Sequence, residues 1–537
     1  MKLLATCFNK SILVRIASLI LLILFYAFLY KILIHRITAF GCMDDCNNFM
    51  GGYFLLHGKE MFTQIFFNHA PFMAHLSEFV LWATRPQNLY EIILRHRQFL
   101  MLFGFLSEAL LLVRFGPVVL PFVLLYELTK FYLGGDRFLA EGFIVYPMSY
   151  MVGVLFKKFL NQKVFPIDYI ISALCVWFVI YMREPYSIAV LFMLLVLLWG
   201  KDNWHIKRIA LGFFLLLSLV TLFSYNLPEF FYNVVYVNKT NLAAENQQTG
   251  FLGINIYKSF IYPFIIFFQG ERNFVRYIEM GLSAIFLFAN ALLIILAVKS
   301  RGAKLRHLGG VLYWTIILWV ILGLANIRFV VAGHEYYGAF HLLPWYAMTI
   351  FTTVLMLQEI FSWKRVLGIV GILGVLGVVG FVIFSKGSYI HDHIDEQTEF
   401  ITNYGNVLQV GNVVNALSTP KETLFLDGSD DMIYMVSKRY SSYPYAWYTS
   451  LMPQYKKYTD ARAHMLATNP PDFYYKACDS KKPVVGLPDI ISSQYVRLFN
   501  LENPSCLWLK KSIVASITKA QWQKAGESLF YLKPTEQ

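Results

Sequence analysis

Residues 12–33, ILVRIASLILLILFYAFLYKIL, and residues 41–76, GCMDDCNNFMGGYFLLHGKEMFTQIFFNHAPFMAHL, decide how the rest of the chain is read. The first run is apolar for long enough to cross about 30 Å of hydrocarbon. Lys2, Lys10 and Arg15 gather around its start. It is too long for a cleaved leader and lacks a clear small-residue cleavage site, so it predicts a retained signal anchor with the N-terminus inside. The second stretch opens on adjacent carboxylates, Asp44 and Asp45. Phe49, Tyr53 and Leu56 then recur at helical spacing, and Gly58 offers a stop. His57-Gly58-Lys59 and Phe67-Asn68-His69-Ala70-Pro71 follow. An acidic pair at a membrane surface, then an amphipathic helix and an aromatic loop with His and Pro, reads as a place where chemistry is done on a lipid.

Composition agrees with the membrane. The 537 residues are 57% hydrophobic, 17% aromatic and 15% charged, where soluble domains carry about a quarter charged residues. The net charge of +13 is spread over short loops. Lys157-Lys158, Lys207-Arg208, Arg301 to Arg306 and Lys364-Arg365 each separate two apolar runs, as cytoplasmic loops do. No basic, aromatic groove for nucleic acid is visible. Six cysteines do not make a disulfide framework. Cys42 and Cys46 could pair or simply pack, and Cys478 and Cys506 could form a bridge if their region is extracytoplasmic.

Apolar runs predict about eleven transmembrane helices, near 12–33, 98–114, 116–133, 138–156, 166–182, 185–200, 208–225, 279–298, 309–329, 342–360 and 364–385. Residues 255–269 hold a Pro and a Lys and read as re-entrant or interfacial. With the N-terminus inside, the basic loops fall inside too. Loop 34–97, Gly134 to Glu141, the Arg183-Glu184 corner, 226–254, 328–341 and everything after 386 fall outside. The expected organisation is a polytopic α-helical membrane domain over 1–386, its first outer loop at 34–97. A small extracytoplasmic α/β domain is expected over 387–537, with a strand at Thr423 to Leu426, a strand-like piece at Lys482 to Leu487 and a helix at Asp431 to Ser437.

The chemistry-bearing residues sit at the outer ends of these runs. Asp44 is a helix cap, a general base held just above the hydrocarbon, or both. One carboxylate of the pair orients the other or binds a divalent cation, and Asp45 is the neighbour of the base or its substitute. Asp136 and Glu141 are solvated loop charge or part of an acceptor or metal environment. Arg183 is an interfacial anchor or a phosphate ligand. The loop RFVVAGHEYYGAFHLLPWY, Arg328 to Tyr346, offers Arg328, His334, Tyr337 and His341 for a phosphate or a sugar, or an interfacial aromatic belt. It is no zinc-protease motif, because Gly338 stands four after His334.

Asp44-Asp45, Phe49-x3-Tyr53, Leu-Leu-x-Gly58 and Phe66-Phe67-Asn68-His69-x-Pro71 together resemble the first extracytoplasmic loop of the GT-C superfamily. The bacterial branch akin to lipid A sugar transferases and protein mannosyltransferases looks nearest. His334 to Tyr346 is similar to that family's late His-x-Tyr…Leu-Pro loop, and Thr423 to Tyr440 to the start of its extracytoplasmic domain. Asp45 stands where the family usually has Glu, and Ala70-Pro71 where it has Pro-Pro. The resemblance implies a polyprenyl-phosphate-linked sugar donor, Asp44 in the catalytic carboxylate position, and an active site at the outer face of a bacterial cytoplasmic membrane.

Such a transfer needs few groups. The leaving phosphate is already a good anion and wants a cation or N–H donors, while the acceptor hydroxyl wants one carboxylate. The expected function is therefore an inverting glycosyltransferase, its acceptor a glycan, lipid or protein, and its other partners membrane lipids. Asp44 and Asp45 are the catalytic candidates. His69, Asp136, Glu141, Arg183, Arg328, His334 and Tyr337 are the substrate-binding ones. The rival expectations are a lipid-linked-sugar flippase or other transporter, for which Glu108 and Glu127 are the residues to inspect, and a non-catalytic scaffold.

Overall fold

A computed structural model describes residues 2–527 except 40, 42–43, 201–202, 241–255, 269–273, 300–304, 333–335, 393–394, 429–431, 479–485 and 501–502. The predicted apolar runs are helices: α1 (Lys2–Ile34), α4 (Leu89–Phe115), α5 (Val119–Thr129), α6 (Ala140–Phe159), α7 (Pro166–Met182), α8 (Ser187–Leu198) and α9 (Trp204–Phe223), then Phe274–Lys299, Leu305–Ala332, Leu343–Trp363 and Arg365–Phe384. Two further helices, α2 (Asp44–Leu56) and α3 (Phe72–Thr84), lie between α1 and α4. Among the described residues, seven segments are both long and apolar enough to span a bilayer: 13–34, 89–115, 204–223, 274–299, 308–328, 339–362 and 365–391. That marks an integral membrane protein of the polytopic helical kind. α7 and α8 are apolar but shorter, and α5 has only 11 residues, so length alone does not carry the count to eleven. The 255–269 stretch is two short helices, Ile256–Phe260 and Tyr262–Ile265, rather than a crossing.

The chain divides into two compact units, each built from three stretches. The first comprises 1–34, 97–224 and 239–393; the second comprises 35–96, 225–238 and 394–537. The sequence placed a boundary at 386/387. In the structure the outer loop expected at 34–97 belongs to the same unit as the C-terminal residues, so 394–537 is one part of that unit rather than the whole of it.

In the first unit, 339–362 is buried along its entire apolar window, whereas only 17% of the α9 window is buried. Leu216, Leu219 and Phe223 of α9 and Val366, Val370 and Leu373 of the last span are exposed. Large apolar side chains recurring outward at helical spacing suit a hydrocarbon solvent. The central helix packs on α6, on 274–299 and on 365–384. Burial of apolar surface does little to join helices in lipid, so close approach and polar contacts matter more. At Gly104 a Cβ would stand 2.5 Å from the Tyr146 hydroxyl and 2.9 Å from that of Tyr26. Glycine there lets both phenols reach the interior.

The second unit is held differently. Gly58, at φ +76°, ends α2 as its sequence predicts. Gly52 lets α2 lie against α3, since a Cβ would come within 2.5 Å of the Glu78 backbone nitrogen and the Ser77 hydroxyl. The sheet has the order β1 (Leu424–Leu426), β2 (Phe473–Tyr475), β4 (Asn503–Lys510), β3 (Tyr495–Asn500). β1 and β2 are parallel, joined through the helix Lys456–Thr468, and the other pairs are antiparallel. Phe425, Tyr474 and Leu509 on these strands are wholly buried. Thr423 to Leu426 was expected as strand and largely is. The piece at Lys482 to Leu487 falls mostly outside the described residues, and Gly486 and Leu487 are not strand. The helix expected from Asp431 is seen as Ile433–Ser437. Cys478 and Cys506 form a disulfide. Cys46 is also disulfide-bonded, while Cys42 lies outside the described residues.

Candidate functional site

In the second unit, Asp44 and Asp45 occupy the first turn of α2, where carboxylates are favoured by the exposed N–H groups and the helix dipole. The two are not equivalent. Asp45 is 1% exposed and Asp44 half-buried, so neither stands in bulk solvent. Asp45 Oδ1 accepts the Cys46 N–H at 3.2 Å, and the Asp45 carboxylate acts electrostatically on the buried His96 ring. That ring is fixed at both nitrogens: Nδ1 donates to the Ile92 carbonyl at 2.7 Å and Nε2 lies 2.8 Å from the Ser77 hydroxyl. In the neutral ring Nδ1 therefore carries the proton and Nε2 accepts from Ser77. Phe49, one helical turn after Asp45, lies with its ring centroid 4.3 Å from that of His96. His96 was not singled out from sequence; it stands between Arg95 and Arg97, just before the apolar run that begins at 98, and nothing in its spacing links it to Asp45.

His69, in the same unit, packs edge-on to Phe67. The neighbouring Asn68 carbonyl accepts from Asn238 Nδ2 at 2.7 Å, which ties the loop to residues 225–238.

The first unit carries a second group of the sequence candidates. Glu141 Oε1 accepts from Arg183 Nε at 3.0 Å and from His341 Nδ1 at 2.8 Å. All three residues are at most 5% exposed. Arg328, half-buried, adds its charge to the field on His341, and the Tyr186 hydroxyl donates to the His341 carbonyl at 3.0 Å. Sequence reasoning offered His341 as a phosphate or sugar contact and did not see its partner 200 residues earlier. Asp136 pairs with Arg97 at 3.1 Å and is 6% exposed. The reading of Asp136 and Glu141 as solvated loop charge is thus corrected: both are interior, because an ion pair survives burial only when its partners come with it. Arg183 is likewise interior, its Nε donating to Glu141. His334 lies outside the described residues. Tyr337 is in the 3-10 turn Tyr336–Leu342, and its side chain is not described.

Glu108 and Glu127 are also interior to this unit. Tyr26 donates to Glu108 at 2.9 Å and Tyr146 to Glu127 at 2.8 Å, while Lys130 pairs with Glu127 at 2.7 Å. The two carboxyls are close enough to interact electrostatically. Among the described residues no group of three or more His, Cys, Asp or Glu side chains is placed to hold a metal ion.

A cavity of about 1120 Å³ opens in the second unit. Tyr53 and His57, at the far end of α2, line it, and Asp44 and Asp45 do not. Burial first, and then the Tyr440 hydroxyl 3.3 Å away, raise the Tyr53 phenol well above its ordinary range, so it remains a donor at any physiological pH. Comparison of the chain with protein-family models, with curated proteins and with solved structures returned no match.

Proposed function

We propose that the protein is an inverting glycosyltransferase that moves a sugar from a polyprenyl-phosphate donor to a glycan, lipid or protein acceptor at the outer face of a bacterial inner membrane. The observation that supports it best is the division of labour in the acidic pair. A general base must be reachable yet held, and Asp44 is half-buried on a rigid helix end, whereas Asp45 is enclosed beside His96. Asp44 takes the proton of the acceptor hydroxyl as that oxygen attacks the anomeric carbon. The bond from that carbon to the phosphate oxygen breaks, and polyprenyl phosphate leaves with the electron pair. One displacement inverts the centre. Asp45 is the positioning residue. On this reading the eleven helical runs all cross or enter the membrane, and residues 394–537 lie outside the cell.

The test is purified full-length protein with a panel of radiolabelled polyprenyl-phosphate sugars, scored by release of polyprenyl phosphate. Asp44→Asn is expected to lower the rate by about 10²- to 10⁴-fold with the thermal unfolding profile retained. Release from none of the donors, or an unimpaired variant, removes the proposal.

A second reading has one specific observation behind it. Ionisable groups inside a spanning helix are costly and mark ion or substrate pathways, and Glu108 sits fully buried within the 89–115 span. A lipid-linked-sugar transporter predicts that Glu108→Gln, and not Asp44→Asn, stops movement of labelled lipid-linked sugar across proteoliposomes.

A further inference from the structure

The chemistry of the cavity in the second unit is not explained by the acidic pair. Tyr53 lies nine residues beyond Asp44, about 13 Å along the helix axis, so the cavity is a separate place in the same unit. Its lining mixes three elements of recognition. Aromatic rings come from Tyr53, Tyr440 and Trp82. Amides come from one face of the helix Glu396–Leu417, where Gln409, Asn412 and Asn415 follow Leu408 at helical spacing. Cations come from Arg85, Lys438 and Lys524, against the single carboxylate of Glu527.

The two cations Arg85 and Lys438 are placed in an unusual way. Each closes a helix in the left-handed conformation, Arg85 at φ 46° after α3 and Lys438 at φ 54° after Ile433–Ser437. Glycine or asparagine is the ordinary occupant of that position. Leaving Asn aside, the described non-glycine residues at positive φ are Phe62, Arg85 and Lys438, so two of the three line this one cavity. A positive charge near a helix C-terminus is favoured by the dipole, but that is satisfied equally by a cation one turn earlier in an unstrained conformation. Strain kept at two positions that face each other's cavity points to a demand for charge there. Both side chains are exposed and make no ion pair among the described residues.

Amides offer paired donors and acceptors to vicinal hydroxyls, aromatic rings offer flat apolar faces with a polar edge, and the cations require an anion. We propose that this cavity binds an anionic oligosaccharide, sugar units bearing carboxylate or phosphate. Arg85 and Lys438 hold the anionic groups and Asn412 and Asn415 the hydroxyls. The proposal stands whether or not Asp44 does chemistry.

The experiment is isothermal titration of the full-length protein in detergent with short oligogalacturonates and with malto-oligosaccharides of equal length. The acidic series is expected to bind at least about tenfold more tightly, more weakly as salt rises. Arg85→Gly with Lys438→Gly removes both charges while supplying the residue the backbone favours, so the double variant is expected to unfold at the same or higher temperature and to lose that preference. Asn412→Trp, which fills the cavity, is expected to lose both series, and Asp44→Asn to bind as the parent does. Equal affinity for acidic and neutral sugars, binding of neither, or full binding by the folded double variant overturns the proposal. So does a double variant that loses only its binding to phosphatidylglycerol vesicles, which would assign the cations to a lipid surface.

Discussion

The ion pairs of the two units differ in how far they are enclosed. In the first, the carboxylates of Asp136, Glu141, Asp168 and Glu127 are each closed onto Arg97, Arg183, Arg114 and Lys130, and none of these four carboxylates is more than 6% exposed. In the second, Arg462 and Asp427 are also largely enclosed, at 22% and 6% side-chain exposure, but Lys456 and Asp460 pair at 86% and 61%, Lys457 and Glu229 at about a third, and Asp44 stays half-open at its helix end. A charge in a low-dielectric interior costs several kcal/mol unless its partner accompanies it, whereas a wet pair is worth about 0–1 kcal/mol. A carboxylate inside the first unit is thus explained by its cation. In the second unit Asp44 is half-buried while its neighbour Asp45 is enclosed, so Asp44 is the more accessible of the pair, and this is why it is the better catalytic candidate.

The comparison is broken most directly at Glu141. Glu141→Gln, or Arg183→Met, leaves one buried charge uncompensated and is expected to cost about 3–5 kcal/mol, read as a lower midpoint in detergent-denaturant unfolding. The double variant Glu141→Gln with Arg183→Met is expected to recover much of that loss. If either single change is silent for stability but abolishes donor binding, Arg183 is a phosphate ligand first and a structural partner second. A smaller effect separates the acidic pair itself. Asp45→Asn, in an enclosed site, is expected to destabilise by about 1–3 kcal/mol, against less than about 1 kcal/mol for Asp44→Asn at the exposed helix end. Equal losses from the two would erase the distinction on which the base assignment rests.

Much of this was legible in the sequence, for identifiable reasons. Apolar runs and their basic loops are local signals, and each predicted run is a helix. Gly58 as the end of α2 and Thr423 to Leu426 as a strand follow from turn and strand chemistry within a few residues. What could not be read was pairing across distance. Glu141 with His341, or Asn238 with the Asn68 carbonyl, joins residues 200 and 170 positions apart that no periodicity connects. His96 was invisible because a buried histidine announces itself only through its neighbours. The cavity is another case: Arg85 and Lys438 look like surface cations in sequence, and their left-handed backbones are a property of the folded chain.

The finest test of the contrast uses a titration in the second unit. Glu422 is slightly raised by burial, but hydrogen bonds from the Thr419 hydroxyl and backbone N–H outweigh this and hold it below the usual carboxylate range. A depressed folded-state value means the stabilisation is fully present above the unfolded-state value, about 4.3 for a glutamate, and is lost as pH falls through the folded one. Glu422→Gln is therefore expected to unfold slightly below the parent at pH 6, with the gap narrowing as the pH falls below the unfolded-state value. Because the group is mostly solvated, the gap at pH 6 should not exceed about 2 °C. Thermal scans of parent and variant across that range decide it. A gap that grows toward acid, or one as large as that from Glu141→Gln, would show that Glu422 is held in an enclosed site rather than at a wet turn.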